Sequence, residues 1–198
     1  LINNHITNAL YSRGCGVEFS YCSNSLGPLE FSDNVFTSCH GDNGAIIHLS
    51  LLNRPLTFRN LTIEKSKNTF YNSAGYFMFI GTYENYEPHV TFDNCKFSYM
   101  ESNANGGGSI GLWLKGKLEE TYMNLSFIQT TFEHLQFQNA ATGRSPQGGG
   151  AISSNIQASN NNFDLNVIGC TFNNVSSFIS GGAIQFYNKN RQLYVENC

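Results

Sequence analysis

The stretch VTFDNCKF (90–97) recurs in this chain, with the same apolar pattern, in five other places. The other copies are LEFSDNVF (29–36), LTFRNLTI (56–63), LSFIQTTF (125–132), LNVIGCTF (165–172) and the shorter LYVENC (193–198). When each block is numbered from its first residue, positions 1, 3 and 8 are apolar wherever the block reaches them. Apolar residues two apart indicate strands rather than helices. The blocks start 27, 34, 35, 40 and 28 residues apart, which indicates a structural repeat.

A second motif lies between the blocks, where small residues precede an apolar one. Its copies are GCGVEF (14–19), NGAIIH (43–48), AGYFMF (74–79), GGSIGL (107–112), GGAISS (149–154) and GGAIQF (181–186). This motif also has period 2, so it predicts a further strand in each repeat. Aligning GAI (44–46) with GGAI puts Ile46 in the isoleucine column. It also puts His48 two residues further on, facing inward as a core residue.

Three short strands in every ~30 residues predict an all-β fold. The expected architecture is a right-handed, single-stranded parallel β-helix, or β-solenoid, of about six coils that form one segment over 1–198. Side chains at positions 1, 3, 6 and 8 face inward, and equivalent residues stack ~4.8 Å apart. The phenylalanines expected to stack in this way are Phe31, Phe58, Phe92 and Phe127. An antiparallel sandwich is the alternative, but it needs short hairpin turns and does not explain recurrence at one coil's length.

Position 5 is where the chain is expected to turn the corner between two strands. It holds Asp33, Asn60, Asn94, Gln129, Gly169 and Asn197. Asn tolerates the left-handed backbone conformation that a sharp corner requires. Stacked side chains of this kind can hydrogen-bond along the axis, so a corner ladder is predicted for Asp33, Asn60, Asn94 and Asn197.

The paired motifs resemble the repeats of a known family. GGAI (149–152 and 181–184), GGSI (107–110) and F-x-x-N (FSDN 31–34, FDLN 163–166) are similar to repeats of chlamydial polymorphic outer membrane proteins. The resemblance implies a right-handed β-helix exposed at a cell surface, with an adhesive or coat-like role. It covers nearly the whole chain as a repeat pattern. Such repeats specify architecture more strongly than function.

Composition bears on partners and location. The net charge is −3, and the eleven basic residues are scattered, which argues against nucleic-acid binding. No apolar run approaches the ~18 residues of a membrane span. Low charge, at 13% of residues, and glycosylation motifs favour an extracellular or cell-surface location. The expected partners are further coils of the same chain or other copies of it, head to tail, with glycans or cell-surface proteins as additional candidates.

A carbohydrate-binding or polysaccharide-cleaving enzyme is the alternative function, because many β-helix proteins have that activity. Glycoside hydrolysis needs two carboxylates ~5–10 Å apart. The four aspartates are Asp33, Asp42, Asp93 and Asp164, and all of them read as turn residues. No G-x-S-x-G or C-x-x-C motif occurs. We therefore predict no catalytic residues, no metal and no cofactor, and three carboxylates meeting in one groove would favour the enzyme.

Six cysteines raise the question of disulfides. Cys95, Cys170 and Cys198 share position 6, where one interpretation is a small inward-facing residue with a free thiol. The other is a bridge between Cys170 and Cys198, whose Cα atoms on adjacent coils would lie within disulfide range. Cys15 and Cys39, in equivalent loops of adjacent coils, are the second candidate pair.

Glycosylation and contact sites are predicted at the surface. N-x-S/T motifs occur at Asn60, Asn124 and Asn174, with the last two expected outside the strands. Insertions between strands are candidate contact loops, since function on a repeat scaffold commonly lies in loops. They carry Tyr83, Tyr86, Tyr122 and Arg144.

The two ends of the chain match the repeat pattern. The chain stops at Cys198, position 6, and LINN (1–4) aligns with TFNN (171–174), positions 7 to 10. On that alignment the segment holds a whole number of coils. It therefore predicts that the coils continue, within a longer chain or by head-to-tail stacking into a filament.

Overall fold

All regular secondary structure described for this chain is β-strand. The structure, a computed structural model, describes residues 2–11, 17–20, 27–41, 46–52, 54–68, 78–82, 89–102, 106–107, 110–114, 122–137, 147–148, 150–154, 162–177, 182–186 and 192–198. Every strand pair in these ranges is parallel. The predicted all-β class is therefore confirmed.

Three large sheets and one pair of short strands contain all the described strands. The first sheet holds, in chain order, Leu29–Ser32, Leu56–Arg59, His89–Asp93, Tyr122–Ile128, Asn162–Ile168 and Leu193–Glu196. The second holds His5–Thr7, Leu10–Tyr11, Val35–Thr37, His40–Gly41, Thr62–Glu64, Lys67–Asn68, Lys96–Ser102, Thr131–Phe137 and Thr171–Ser177. The third holds Val17–Ser20, Ile47–Leu52, Met78–Thr82, Ile110–Leu114, Ile152–Ser154 and Ile184–Gln185. Gly106–Gly107 pairs with Gln147–Gly148.

Neighbouring strands in each sheet come from successive repeats and pair position for position, apart from a register shift between Ile47–Leu52 and Met78–Thr82 in the third sheet. In the first sheet, Phe92 lies opposite Phe58 on one side and Phe127 on the other. In the second, Phe97 lies opposite Phe132. The first and second sheets therefore contain the two halves of the sequence block, in the predicted register.

The core consists of columns of like side chains, as the block pattern predicts. Phe31, Phe58, Phe92 and Phe127 are all at most 2% exposed, and the Phe92 ring stacks on Phe58 and Phe127 with centroids 4.8 and 4.7 Å away. A second column runs from Phe97 through Phe132 to Phe172, with centroids 5.2 and 5.1 Å apart. The two columns meet edge to face, with Phe92 and Phe97 6.1 Å apart. Both geometries are favourable for aromatic pairs.

The third sheet has a different register from the one expected at NGAIIH. Ile47, not Ile46, pairs with Val17 and Met78 and so occupies the isoleucine column. Since successive strand residues point to opposite faces, His48 is adjacent to the inward residue Ile47. It is half-buried rather than a core residue. Two consecutive isoleucines made the alignment ambiguous by one residue.

The alignment predicted for LINN (1–4) is wrong. Ile2 bridges Ser32, and the Asn3 N–H donates to the Ser32 carbonyl over 2.9 Å, as the Asp33 N–H does to Arg59. Asn3 is thus at position 5 and Asn4 at position 6. Since Cys198 is also at position 6, joining the two ends would repeat the corner instead of continuing the pattern. The Asn-Asn pair misled the alignment because it occurs near two different corners, in LINN and in TFNN.

A close backbone contact explains why the second residue of GGAI (149–152), Gly150, is a glycine. A Cβ atom on Gly150 would overlap the carbonyl oxygen of Gly182 and lie 2.6 Å from Cγ1 of Val175. The backbones of successive repeats approach so closely here that only glycine fits.

The phenylalanine stack makes Phe92→Ala the most informative core substitution. Removing a fully buried ring that contacts aromatic rings on both sides should lower the free energy of unfolding by ~3–5 kcal/mol. Denaturant unfolding measures this loss. The control is Thr91→Ala on the same strand, which should change stability by about 0.5 kcal/mol or less. Equal effects of the two substitutions would contradict the inward stack.

The close approach at Gly150 predicts that Gly150→Ala destabilises the chain by about 1–3 kcal/mol, because overpacking forces the backbone apart. Gly27 provides the matched control, since a Cβ there meets no atom within 4 Å. Thermal unfolding of the two alanine variants compares them directly. A Gly150→Ala variant as stable as Gly27→Ala would show that the two repeats are not in this contact.

Candidate functional site

The first corner of each repeat is formed by residues with positive φ. These residues, which we call the first corner column, are Asn3, Asp33, Asn60, Asn94, Gln129, Gly169 and Asn197, with φ between 49° and 60°. Each N–H in this column that precedes another repeat donates to the carbonyl of position 4 there, as Asn60 does to Asp93 over 3.0 Å. The corner is thus part of the hydrogen-bonded ladder. Asn, Asp and Gly are the residues that adopt this conformation most readily.

Three of the four residues predicted for the corner ladder are joined by their side chains. Asn60 Nδ2 donates to Asp33 Oδ1 over 2.7 Å, and Asn94 Nδ2 donates to Asn60 Oδ1 over 2.8 Å. Asn197 is at the same corner, but its side chain contacts Glu196 at 3.4 Å. The residue one repeat before it, Gly169, has no side chain to bond, and this interrupts the ladder.

Arg59 holds two carboxylates on the outer face of the first sheet. Its guanidinium lies 3.2 Å from Glu30 Oε1 and 3.3 Å from Asp93 Oδ2. The Arg59 and Glu30 side chains are about half exposed, so the ion pairs contribute little stability. Nowhere in the described ranges do three His, Cys, Asp or Glu side chains form a metal site.

Position 6 forms an inner corner column of hydrogen-bond donors. The column consists of Asn4, Asn34, Leu61, Cys95, Thr130, Cys170 and Cys198. Every side chain except Leu61 donates to the carbonyl two residues earlier, over 2.9 to 3.5 Å. The Cys95 and Cys170 thiols also reach the Phe58 and Phe127 carbonyls, and the Thr130 hydroxyl reaches Phe92, each over 3.5 Å. The two thiols therefore make the same pair of backbone contacts as the Thr130 hydroxyl.

The two predicted disulfide pairs have different outcomes. Cys170 and Cys198 lie on adjacent repeats as free thiols, and the Cys170 N–H donates to Cys198 Sγ over 3.4 Å. A bridge between them would remove both thiol hydrogens from the carbonyls that they bond. It stays a prediction. Cys39 is a buried free thiol near the Thr37 carbonyl, while Cys15 lies outside the described residues.

A second corner follows the first by five residues, and sequence reasoning missed it. This second corner column is Asn8, Ser38, Lys65, Tyr99, His134 and Asn174, all with φ between 51° and 56°. As at the first corner, the Lys65 N–H donates to a carbonyl of the next repeat, that of Ser98, over 3.0 Å. The signal was hard to find because Lys and Tyr do not mark left-handed positions. Only His134 and the asparagines at the two ends, residue types that are enriched at positive φ, suggest it.

Tyr99, His134 and Asn174 follow one another along the second corner column, with Tyr99 and Asn174 exposed and His134 half-buried. We call these three residues the ridge. The Tyr99 and His134 rings stack with centroids 4.7 Å apart and an interplanar angle of 11°. Asn174 Nδ2 lies 3.0 Å from His134 Nδ1. Tyr99 is 52% exposed, and Asn174 is exposed as well.

No protein-family model, curated protein or solved structure matches the chain. No helix of the length and apolarity needed to cross a bilayer occurs in the part of the chain that the structure describes.

The three glycosylation motifs lie in different surroundings. Asn60 is exposed, and both ends of its amide bond within the corner ladder. Asn124 is half-buried in the strand Tyr122–Ile128 and accepts from Ser126 and Asn166 over 3.3 Å. Asn174 is exposed and lies in Thr171–Ser177. The expectation that Asn124 and Asn174 lie outside the strands is thus wrong, while glycosylation at all three stays a prediction.

The predicted contact loops fall largely where the structure gives no description. Tyr83, Tyr86 and Arg144 lie outside the described residues, and Tyr122 is the first residue of a first-sheet strand. Their role as contact sites stays a prediction.

The buried Cys95 thiol makes the folded chain less stable at alkaline pH. Burial raises the pKa of its thiol from 9.0 to about 12, since the thiolate would lose its hydration. Between these values the unfolded chain releases a proton that the folded chain keeps. The stability that the protonated Cys95 thiol contributes is therefore fully present below pH 9, and it is lost as the pH rises towards 12.

We expect the free energy of unfolding to fall more steeply between pH 8 and pH 10.5 in the natural chain than in Cys95→Thr. Threonine keeps a donor at this position, as Thr130 does one repeat later, but it does not ionise in this range. Urea unfolding at the two pH values gives the comparison. Identical pH slopes in the two proteins would contradict a buried, protonated thiol at Cys95.

Proposed function

We propose that the chain is a segment of a right-handed, single-stranded parallel β-helix of about six coils, with a structural or adhesive role at an extracellular or cell surface. Its GGAI and F-x-x-N motifs resemble the surface repeats of chlamydial polymorphic outer membrane proteins, and this resemblance supports the proposed surface role. The observation that carries the proposal is the register. Each sheet pairs like positions of successive repeats, which is how one coil stacks on the next.

Handedness is supported by chain connectivity. Parallel strands in one sheet must be joined by a crossover, and such crossovers are right-handed in about 98% of cases. In the first sheet, Leu56–Arg59, His89–Asp93 and Tyr122–Ile128 are neighbours in space and in chain order. The chain leaves and re-enters that sheet once per repeat, with strands of the second and third sheets between.

A structural rather than catalytic role is supported by how the described polar groups are used. In the first corner column, Asp33, Asn60 and Asn94 are joined along the axis by their side chains. The inner corner column bonds backbone carbonyls. Arg59 is bound by the two carboxylates that flank it. These groups serve the stacking of repeats.

Continuation of the coils is supported by the strand Leu193–Glu196. Leu193 and Val195 are 45% and 49% exposed, although they occupy positions 1 and 3, which are buried in the five preceding repeats except at the half-buried Leu29. An apolar strand edge of this kind is a template for another strand. We propose that it pairs with a further coil, from the same chain or from another copy.

Val195→Lys tests the proposed pairing. We expect the 198-residue chain to self-associate in a concentration-dependent way and Val195→Lys to sediment as a monomer, because the lysine puts a charge into the apolar column. Tyr194→Lys is the control, since Tyr194 is equally exposed at 49% but lies at the outward position 2. Sedimentation velocity measures all three. Monomeric behaviour of the natural chain, or equal loss in both variants, would contradict pairing through this edge.

Surface labelling tests the location. Antibodies against the chain should label intact cells that produce it, and negative-stain images of the native material should show spikes or filaments. Labelling that appears only after the cells are permeabilised would contradict the proposed role.

A further inference from the structure

The strand pairing fixes which repeat position each residue occupies. Position 7 is held by residues that pair in turn across the second sheet: His5, Val35, Thr62, Lys96, Thr131 and Thr171. Since Cys198 is at position 6, residues 5–198 run from position 7 of one repeat to position 6 of another. Residues 2–4 are additional. They occupy positions 4 to 6, the same positions as residues 196–198 at the other end.

The two ends of the array of repeats carry matching apolar columns. The half-buried Ile6 belongs to the column that ends at Phe172, which is also half-buried. The half-buried Val17 belongs in the same way to the column that ends at Ile184. When the N-terminal end of one copy is placed on the C-terminal end of another, both columns continue. Asn8 likewise extends the second corner column beyond the ridge.

Backbone hydrogen bonds favour the same placement. The N–H at position 7 donates to the carbonyl at position 6 one repeat earlier, as Lys96 does to Leu61 over 2.8 Å. In the head-to-tail arrangement, the His5 N–H of a second copy meets the Cys170 carbonyl in this way. Two C-terminal ends that face each other would pair antiparallel, so unlike positions would lie opposite and the columns would stop.

Residues 2–4 fill the place that a joining copy needs. The Asn3 N–H donates to the Ser32 carbonyl over 2.9 Å, and the Val35 N–H donates to the Asn4 carbonyl over 2.8 Å. Positions 5 and 6 make these same bonds in the repeats that follow. The first two residues of this segment are exposed and the third is half-buried, so few apolar contacts hold it and local opening can release it.

We propose that the chain assembles head to tail, with residues 196–198 of one copy displacing residues 2–4 of the next. Position 6 of one copy is then followed by position 7 of the other, and the repeats continue without a break. The contact joins two different surfaces, so it does not close on itself and adds copies into a filament. This inference rests on the proposed pairing of the strand Leu193–Glu196 and names the surface that it pairs with.

A disulfide between two copies tests the displacement. In the joined state, Cys198 of one copy lies one repeat from Asn34 of the next, at a spacing of ~4.8 Å that permits a disulfide. Asn34 is 0% exposed, and Asn4 bonds its side chain over 3.0 Å, so another chain reaches it only after Asn4 has left. The test protein carries Asn34→Cys together with Cys170→Thr, which prevents Cys198 from bonding within its own chain.

Both substitutions suit position 6, which holds Cys95 and Thr130 in other repeats. The protein is oxidised with glutathione disulfide, which is reduced to two glutathione molecules for each protein disulfide that forms. We expect covalent dimers and longer multimers on a non-reducing gel, with peptide mapping that joins the cysteine of Asn34→Cys to Cys198. Arg59→Cys in the same background is the control. The Arg59 side chain is 50% exposed, but it lies on the outer face of the first sheet and should not bond to Cys198.

Asn4→Ala tests the competition without a new cysteine. The Asn4 amide loses its bonds to Asn34 and to the Ile2 carbonyl, so the segment is displaced more easily. We expect self-association to become about fivefold tighter by sedimentation velocity, the effect of about one hydrogen bond. Thr7→Ala is the matched control, since Thr7 is exposed on the neighbouring strand, and it should associate like the natural chain.

Three outcomes would overturn the proposal. They are self-association without the bond between the Asn34→Cys cysteine and Cys198, a bond between two Cys198 thiols instead, and an Asn4→Ala variant that associates no more tightly than the natural chain. Each of them defeats this inference alone, because pairing through the strand Leu193–Glu196 is left intact. A natural chain that stays monomeric defeats that pairing and this inference together.

Discussion

Positive φ at two positions in every described repeat is the constraint on which the rest of the structure depends. At these residues the strand changes direction. The N–H groups of the first corner, apart from the last at Asn197, donate to the next repeat, and so do those of Asn8, Ser38 and Lys65 at the second corner. The corners therefore interrupt neither the hydrogen bonding nor the register. Because the same two turns recur in each repeat, equivalent side chains stay aligned, and stacks such as Phe58–Phe92–Phe127 follow.

The corners also explain the polar residues buried inside. The corner carbonyl at position 4 already accepts a backbone N–H from the preceding repeat, and its oxygen has a second lone pair. Position 6 supplies a side-chain donor to it, whether amide, hydroxyl or thiol. Ser66 does the same at the second corner, donating to the Glu64 carbonyl over 2.9 Å. Amide, hydroxyl and thiol donors all fit at this position, and so does the apolar Leu61. This is why Cys95 and Thr130 occupy equivalent places.

The sequence was sufficient to predict what depends on side-chain periodicity. The all-β class, the phenylalanine column and the first corner follow from apolar spacing and from asparagine at position 5. Prediction failed where two alignments fit the apolar spacing equally well, as at Ile46 and Ile47. It also failed where one dipeptide occurs near two corners, as in LINN and TFNN. The second corner was missed because Lys65, Tyr99 and His134 share a backbone dihedral but no chemistry. The thiol donors were missed because the direction of a carbonyl is not visible in a sequence.

The two corner columns divide structural and surface roles between them. In the first, the side chains of Asp33, Asn60 and Asn94 hydrogen-bond to one another. Each of these three residues is therefore constrained by its neighbours along the axis. In the second, the side chains differ in size and charge from repeat to repeat, and Tyr99 and Asn174 are exposed. The repeat backbone therefore tolerates variation at the second corner without a change in register. A surface that varies while its scaffold stays fixed is where specificity can reside on a repeating fold.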